Sequence, residues 1–289
     1  MKSSIPSMCL LVAVAVASPG CSLLKSIVKA KKENEVEDLE AAGDYEGLQA
    51  LCSDGRNSAC KAKQRVGSQR LEASSCAELV PNIEKYYVNH DGTRDGDTAL
   101  VQRLHECEQH EALFAKSLRI RWLSQALATA DSGGSDLFTP FVEHLEQEQS
   151  AYAGTAGTDQ LRRLSEWLIT VGDASRCPKL DAQYDHIAEE SRGWMLQVYY
   201  EVGCGPEAVP HARDNLQSEG PWVRVQACDI LGKYGDATDV ETLEILATTD
   251  GYKEEREIRT ASGGLAIEVY HPVRERCQAA AGKIKVRGA

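Results

Sequence analysis

Three glycine-centred turns at nearly equal spacing constrain this chain more than any other feature. From residue 158 onward, apolar residues three to four apart run into a glycine turn, and a second helical run follows. Leu161, Leu164, Leu168 and Val171 lead to Gly172-Asp173; Trp194, Val198 and Tyr199 lead to Gly203; Val225, Ile230, Leu231 and Tyr234 lead to Gly235-Asp236. The glycines stand 31 and 32 residues apart. A helical hairpin of that length cannot bury its apolar face alone, so the period predicts hairpins stacked on one another. The expected fold class is all-α: a helical-hairpin repeat solenoid. The composition agrees, with three Phe beside 23 Gly pointing to small-residue helix packing rather than an aromatic β core.

The stretch Val223-Arg224-Val225-Gln226-Ala227-Cys228-Asp229-Ile230-Leu231-Gly232-Lys233-Tyr234-Gly235-Asp236 precedes a helix over Val240 to Ala247. A partial copy, Val273-Arg274-Glu275-Arg276-Cys277-Gln278-Ala279-Ala280-Ala281-Gly282-Lys283-Ile284, repeats its Val, Arg, Gly and Lys at matching positions. The pair resembles HEAT-like repeats of the phycobilisome-lyase type, which implies a scaffold and is silent on activity. Between the copies, residues 257–270 read as strand, glycine turn, strand. This hairpin is expected to present Ile258, Ile267, Val269 and Tyr270, either as a cover over the end of the stack or as an edge for a partner.

Residues 35–155 read as less regular helical hairpins. Asp38 to Leu48, with Gly43-Asp44-Tyr45, resembles the turn of a tetratricopeptide-like hairpin. Glu78–Asn89 and Asp97–Phe114 read as two helices, and Leu113–Ala130 as one long helix. Asp131-Ser132-Gly133-Gly134-Ser135 is either a boundary before a second region, residues 156–289, or a turn within one continuous stack.

The N-terminus reads as an address. Lys2 precedes the apolar run Met8–Ala17, which has the length of a signal-peptide core and is too short to span a bilayer. Gly20 directly before Cys21 resembles the lipobox of bacterial lipoproteins, with Ser18-Pro19 in place of the usual Leu-Ala. The resemblance implies a signal peptide over 1–20, a lipidated Cys21 (a palmitate-type anchor), a tether over 21–34 and a place in the cell envelope, on the periplasmic or cell-surface side. An ordinary secretory signal is the alternative. Lys25, Lys29, Lys31 and Lys32 in the tether suit anionic headgroups or simple solvation.

Export changes how the cysteines are read. Cys52, Cys60, Cys76, Cys107, Cys177, Cys204, Cys228 and Cys277 remain after the leader and anchor, and an even number outside the cytoplasm predicts disulfides. Folding the helices around Thr93 sets Cys76 opposite Cys107. Cys52 and Cys60 flank a short turn between helical runs. Under the repeat reading Cys177 and Cys204 fall in neighbouring turns, and Cys228 and Cys277 on stacked equivalent helices.

Function is narrowed mainly by exclusion. With 32 Lys and Arg against 44 Asp and Glu, the net charge of -12 disfavours nucleic-acid binding. Asp91 to Asp97 partly matches a calcium loop, but Gln102 stands where the bidentate Glu belongs. In His105-Glu106-Cys107-Glu108-Gln109-His110 a single helix would turn the two histidines about 140° apart, so no metal site is expected. Ser58 to Lys61 matches SxxK without its companion motifs, and no nucleophile elbow, zincin or phosphate-loop pattern occurs. No catalytic, cofactor or metal residues are assigned. The expected role is a lipid-anchored envelope scaffold or adaptor that binds another protein. The alternatives are an enzyme or enzyme accessory with a site in the solenoid groove, or a calcium-responsive module.

Overall fold

A computed structural model describes residues 33–87, 94–118, 120–259 and 263–288. Two compact units emerge: Met1–Ser74 with Lys85–Val88, and Ser75–Glu84 with Asn89–Ala289. The turn at Asp131–Ser135 falls within the second.

The first unit contains α1 (33–41), α2 (Tyr45–Ser53) and α3 (Asn57–Ala73). Gly43 adopts φ +65, and Asp44 then caps α2 by accepting from the Gly47 N–H at 3.0 Å. Ala59, Ala62 and Val66 lie on one face of α3 and meet Val36, Tyr45, Leu48 and Tyr86 in a small core. A β-carbon at Gly67 would sit 3.0 Å from the Tyr86 carbonyl, so glycine lets α3 approach the edge-to-face pair Tyr45–Tyr86, whose centroids are 4.8 Å apart. Cys52 is bonded to Cys60 across the α2–α3 turn.

Helix α4 (Cys76–Tyr86) ends in residues counted with the first unit. The second unit continues with α5 (Arg94–Glu106), α6 (His110–Phe114), α7 (Leu123–Ser132), α8 (Phe138–Gln147), α9 (Gly154–Thr170), α10 (Cys177–Asp181), α11 (Arg192–Val202) and α12 (Gly205–Asn215). It closes with α13 (Pro221–Tyr234), α14 (Val240–Thr249), strands β1 (Glu254–Arg259) and β2 (Leu265–Tyr270), and α15 (Pro272–Gly288). The packing is that of stacked hairpins: α5 lies on α7, α7 on α9, α9 on α11, α11 on α13 and α13 on α15, with α6 on α8 and α10 on α12. The fold is therefore all-α with one β-hairpin near the C-terminus.

The repeated Gly-Asp turns acquire a physical reason. Asp173 and Asp236 accept from the N–H groups of Ser175 and Thr238 at 2.9 and 2.8 Å, capping the short 3₁₀ turns that start the second helix of each hairpin. Aromatic side chains fill the middle of the stack, where Phe114, Phe141 and Trp167 meet with centroids 5.3 to 6.2 Å apart. Towards the C-terminus small residues replace them. A β-carbon at Gly232 would stand 3.0 Å from Cα and Cβ of Ala280, so α13 and α15 pack closely there, and Cys228 is bonded to Cys277 between them.

The helix boundaries in the middle of the chain depart from expectation. Leu113–Ala130 is not one helix: α6 ends at Phe114, a non-helical segment follows, and α7 begins at Leu123. Leu118 and Ile120 are both buried, and two residues 200° apart on a helix cannot share one face. Leaving the helix buries both. Asp97–Phe114 is likewise interrupted between α5 and α6, where Glu108 adopts φ 54.

Candidate functional site: the C-terminal hairpin and its base

Strands β1 and β2 form a two-stranded antiparallel sheet in which Arg256 faces Glu268, Glu257 faces Ile267 and Ile258 faces Ala266. β1 begins earlier than the expected 257, and part of the turn lies outside the described residues. Side chains alternate across the sheet, so the four expected residues divide between its two faces. Ile258 and Tyr270 lie on one face with Ala266, Arg256 and Glu268, whereas Ile267 and Val269 lie on the other with Leu265. Leu265, Ile267 and Val269 are 71%, 68% and 48% exposed, an uninterrupted apolar row flanked across the sheet by Arg259, Glu257 and Glu255 in turn. The opposite face is knitted together: Arg256 donates to Glu268 at 2.7 Å and lies over the Tyr270 ring, and the Tyr252 and Tyr270 hydroxyls both donate to Glu254. Those two bonds hold the Glu254 carboxyl below the usual range.

The hairpin rises from a polar node at Asp250, the residue that ends α14. Arg224 donates to both carboxylate oxygens of Asp250, at 2.7 and 3.3 Å, and the Tyr252 N–H donates to one of them at 2.9 Å. Arg274 donates to the Asp250 backbone carbonyl at 2.5 Å. Arg224 and Arg274 hold matching positions in the two repeat copies, so the repeat brings both guanidinium groups to the point where the chain leaves the stack. His271 contacts the Tyr252 carbonyl at 3.0 Å and closes the base.

All eight cysteines expected in disulfides are so bonded: Cys52–Cys60, Cys76–Cys107, Cys177–Cys204 and Cys228–Cys277. Four bridges suit an oxidising, exported setting. Cys21, expected to carry lipid, lies outside the described residues, as do Asp91, Gly92 and Thr93 of the calcium-like turn. Asp97, the last member of that turn, is buried and accepts from the Trp122 N–H at 2.9 Å, helping to start α7. No helix among the described residues is long and apolar enough to cross a membrane.

His105 and His110 meet, contrary to the single-helix expectation, because the break at Glu108 folds α6 back and leaves Nδ1 of one 2.9 Å from Nε2 of the other. Burial first, and the neighbouring His105 second, hold the His110 pKa below the ordinary histidine value. Among the described residues no three His, Cys, Asp or Glu side chains group as a metal site would require. A surface cleft of about 530 Å³ lies among α5, α7 and α9, lined by Thr98, Gln102, Ser124, Gln125, Thr129 and Glu166 among others. Its Ser124 hydroxyl donates to Glu166 at 3.1 Å, a pairing with no imidazole among the lining residues to carry a proton.

Sequence reasoning missed Leu265 and Asp250. Leu265 was legible, because it begins the alternation that Ile267 and Val269 continue. Asp250 was not, since its arginine partners lie 26 and 24 residues away. No protein-family model, curated protein or solved structure matches the chain.

Proposed function

We propose that this chain is an exported, lipid-anchored adaptor that binds another protein through its C-terminal hairpin. The observation that carries the reading is the exposed row of Leu265, Ile267 and Val269, on a strand whose outer edge pairs with no other described element. Apolar side chains in a row on an open strand edge form a surface that partner strands extend by backbone hydrogen bonding. The occupant that fits is an extended segment with alternating apolar residues and a Lys or Arg placed to answer Glu255 and Glu257, away from Arg259 beside Leu265. The HEAT-like copies support a scaffold, and anchoring at Cys21 would hold that scaffold at a membrane surface.

The test places a photo-crosslinking residue at 267, 269 or 258 of the full chain in envelope fractions and maps each adduct by mass spectrometry. Adducts from 267 and 269 but not 258, landing on an extended apolar segment that carries a Lys or Arg and abolished by Leu265→Lys, are expected. Equal adducts from both faces, or adducts landing on a helix, refute the reading.

A further inference from the structure

A second surface lies where α11 and α13 begin, on the indoles of Trp194 and Trp222. Their ring centroids are 5.7 Å apart and the planes are inclined at 50°. Trp222 is 42% exposed and Trp194 is half-buried. Gly193 is buried in the first turn of α11, and a β-carbon there would fall 2.4 Å from Cδ1 and 2.8 Å from Nε1 of Trp222. Glycine is unfavourable inside a helix, so its presence serves to seat the indole. The loop that leads into Trp222 is fixed as well: the Ser218 hydroxyl donates to Glu189 at 3.1 Å, and Arg224 donates to the Ser218 and Glu219 carbonyls at 2.7 and 3.0 Å. A large aromatic side chain held in place on one side and open to water on the other is a typical interface anchor, because it loses little conformational freedom on binding.

Charge decides the occupant. Elsewhere in this unit Tyr184, Tyr200, Tyr234 and Tyr270 each carry an arginine or lysine of the same chain over the ring. Among the described residues no such group lies over Trp194 or Trp222, although indole is the ring that attracts a cation best. The carboxylates of Glu219 and Glu189 are both exposed, and the Ser218–Glu189 bond sets Glu189 beside the loop that carries Glu219. The arginines that flank the pair in sequence are committed, Arg224 to Asp250, and Arg192 to the Ile187 carbonyl and the Tyr184 ring. Bare rings and an acidic rim both call for positive charge. A small free cation needs a pocket that buries most of it, whereas a side chain carried by a larger partner can bind an open surface such as this one.

We propose that the Trp194–Trp222 pair binds an arginine or lysine side chain on an exposed segment of a partner protein, with the cation over the indoles and its N–H groups directed to Glu219 and Glu189. This surface is separate from the apolar row of the hairpin and does not depend on it.

The test follows the indole N–H resonances of the full chain carrying Cys21→Ser, assigned with Trp194→Phe and Trp222→Phe, in about 150 mM NaCl so that diffuse attraction to the acidic surface is screened. The probe is the capped peptide Gly-Arg-Gly-Arg-Gly, set against a counterpart in which citrulline, neutral and of nearly the same shape, replaces arginine. Saturable shifts of the Trp194 and Trp222 resonances, but not of that of the buried Trp167, are expected with the arginine peptide, with affinity about fivefold or more lower for the citrulline peptide. Trp222→Leu and Glu219→Gln are each expected to weaken binding about threefold or more with unchanged circular dichroism. Glu241→Gln, which removes an exposed carboxylate at the far end of the α13–α14 hairpin, and Leu265→Lys in the apolar row should bind like the parent chain. The proposal is overturned if no saturable shift occurs, if the citrulline peptide binds as well, or if Trp222→Leu or Glu219→Gln binds like the parent. It is also overturned if Glu241→Gln or Leu265→Lys weakens binding as much as Glu219→Gln does. Phosphatidylcholine vesicles that move the same resonances would overturn it too, because the pair would then be a lipid contact.

Discussion

Replacing Asp250 by Ala tests whether the node at the hairpin base holds the end of the stack together. The Arg224 and Asp250 side chains are 13% and 5% exposed, so the pair is largely withdrawn from water. Removing one member of a buried pair typically costs about 3–5 kcal/mol, because the remaining charge loses its partner but not its burial. Arg224 keeps the carbonyls of Ser218 and Glu219 at 2.7 and 3.0 Å, which brings its share to the lower end. The lost bond from the Tyr252 N–H adds about 1 kcal/mol, and the backbone carbonyl used by Arg274 is untouched. A destabilisation of about 3–4 kcal/mol is expected. In Asp250→Ala/Arg224→Leu no stranded charge remains, so much of the loss should return, giving a coupling of about 2 kcal/mol. Urea unfolding followed by tryptophan fluorescence isolates this effect, because Trp122, Trp167, Trp194 and Trp222 all belong to the second unit. A loss below about 0.5 kcal/mol for Asp250→Ala, or a double variant no better than the sum of the two singles, refutes the reasoning.

The disulfides should rank by the loop they close: removing Cys228–Cys277, separated by 49 residues, is expected to cost about 4 kcal/mol, and Cys52–Cys60, separated by 8, about 2.5. Calorimetry of the paired Ala variants checks the order. A β-carbon at Gly157 would fall 2.3 Å from the Tyr152 backbone, whereas one at Gly282 meets open space. Gly157→Ala should therefore cost about 3 kcal/mol or more and Gly282→Ala should gain about 0.5–1, and melting temperatures moving the same way would count against this packing. Burial holds the pKa of both His144 and His110 below the ordinary value of 6.5. The unfolded chain takes up those protons at the ordinary value, so this contribution is full above it and is lost as pH falls through the lowered folded values. His144→Phe, which keeps a ring beside Phe114 and Tyr152, should show a smaller fall in melting temperature between about pH 7.5 and 5.5, and an equal fall contradicts the assignment. Cys21→Ser should move the whole chain from the detergent phase to the aqueous phase in a partition assay, whereas identical partition of both forms excludes the anchor.

What the sequence by itself determined is local or periodic. Apolar spacing and Gly-Asp turns specify helical hairpins because helix faces and caps depend on residues within a turn of each other. Pairings such as Cys76–Cys107 were legible because folding one hairpin about its turn sets the partners opposite one another. The β-hairpin was legible as well, and its alternation already separates Ile258 and Tyr270 from Ile267 and Val269. Tertiary structure decided the rest. It broke the helices at Glu108 and after Phe114, where burying both Leu118 and Ile120 outweighed helical propensity, and so brought His105 to His110. It also gathered Arg224 and Arg274 at Asp250. Those groups act across separate elements, and a charge gains its meaning only from what packing places beside it.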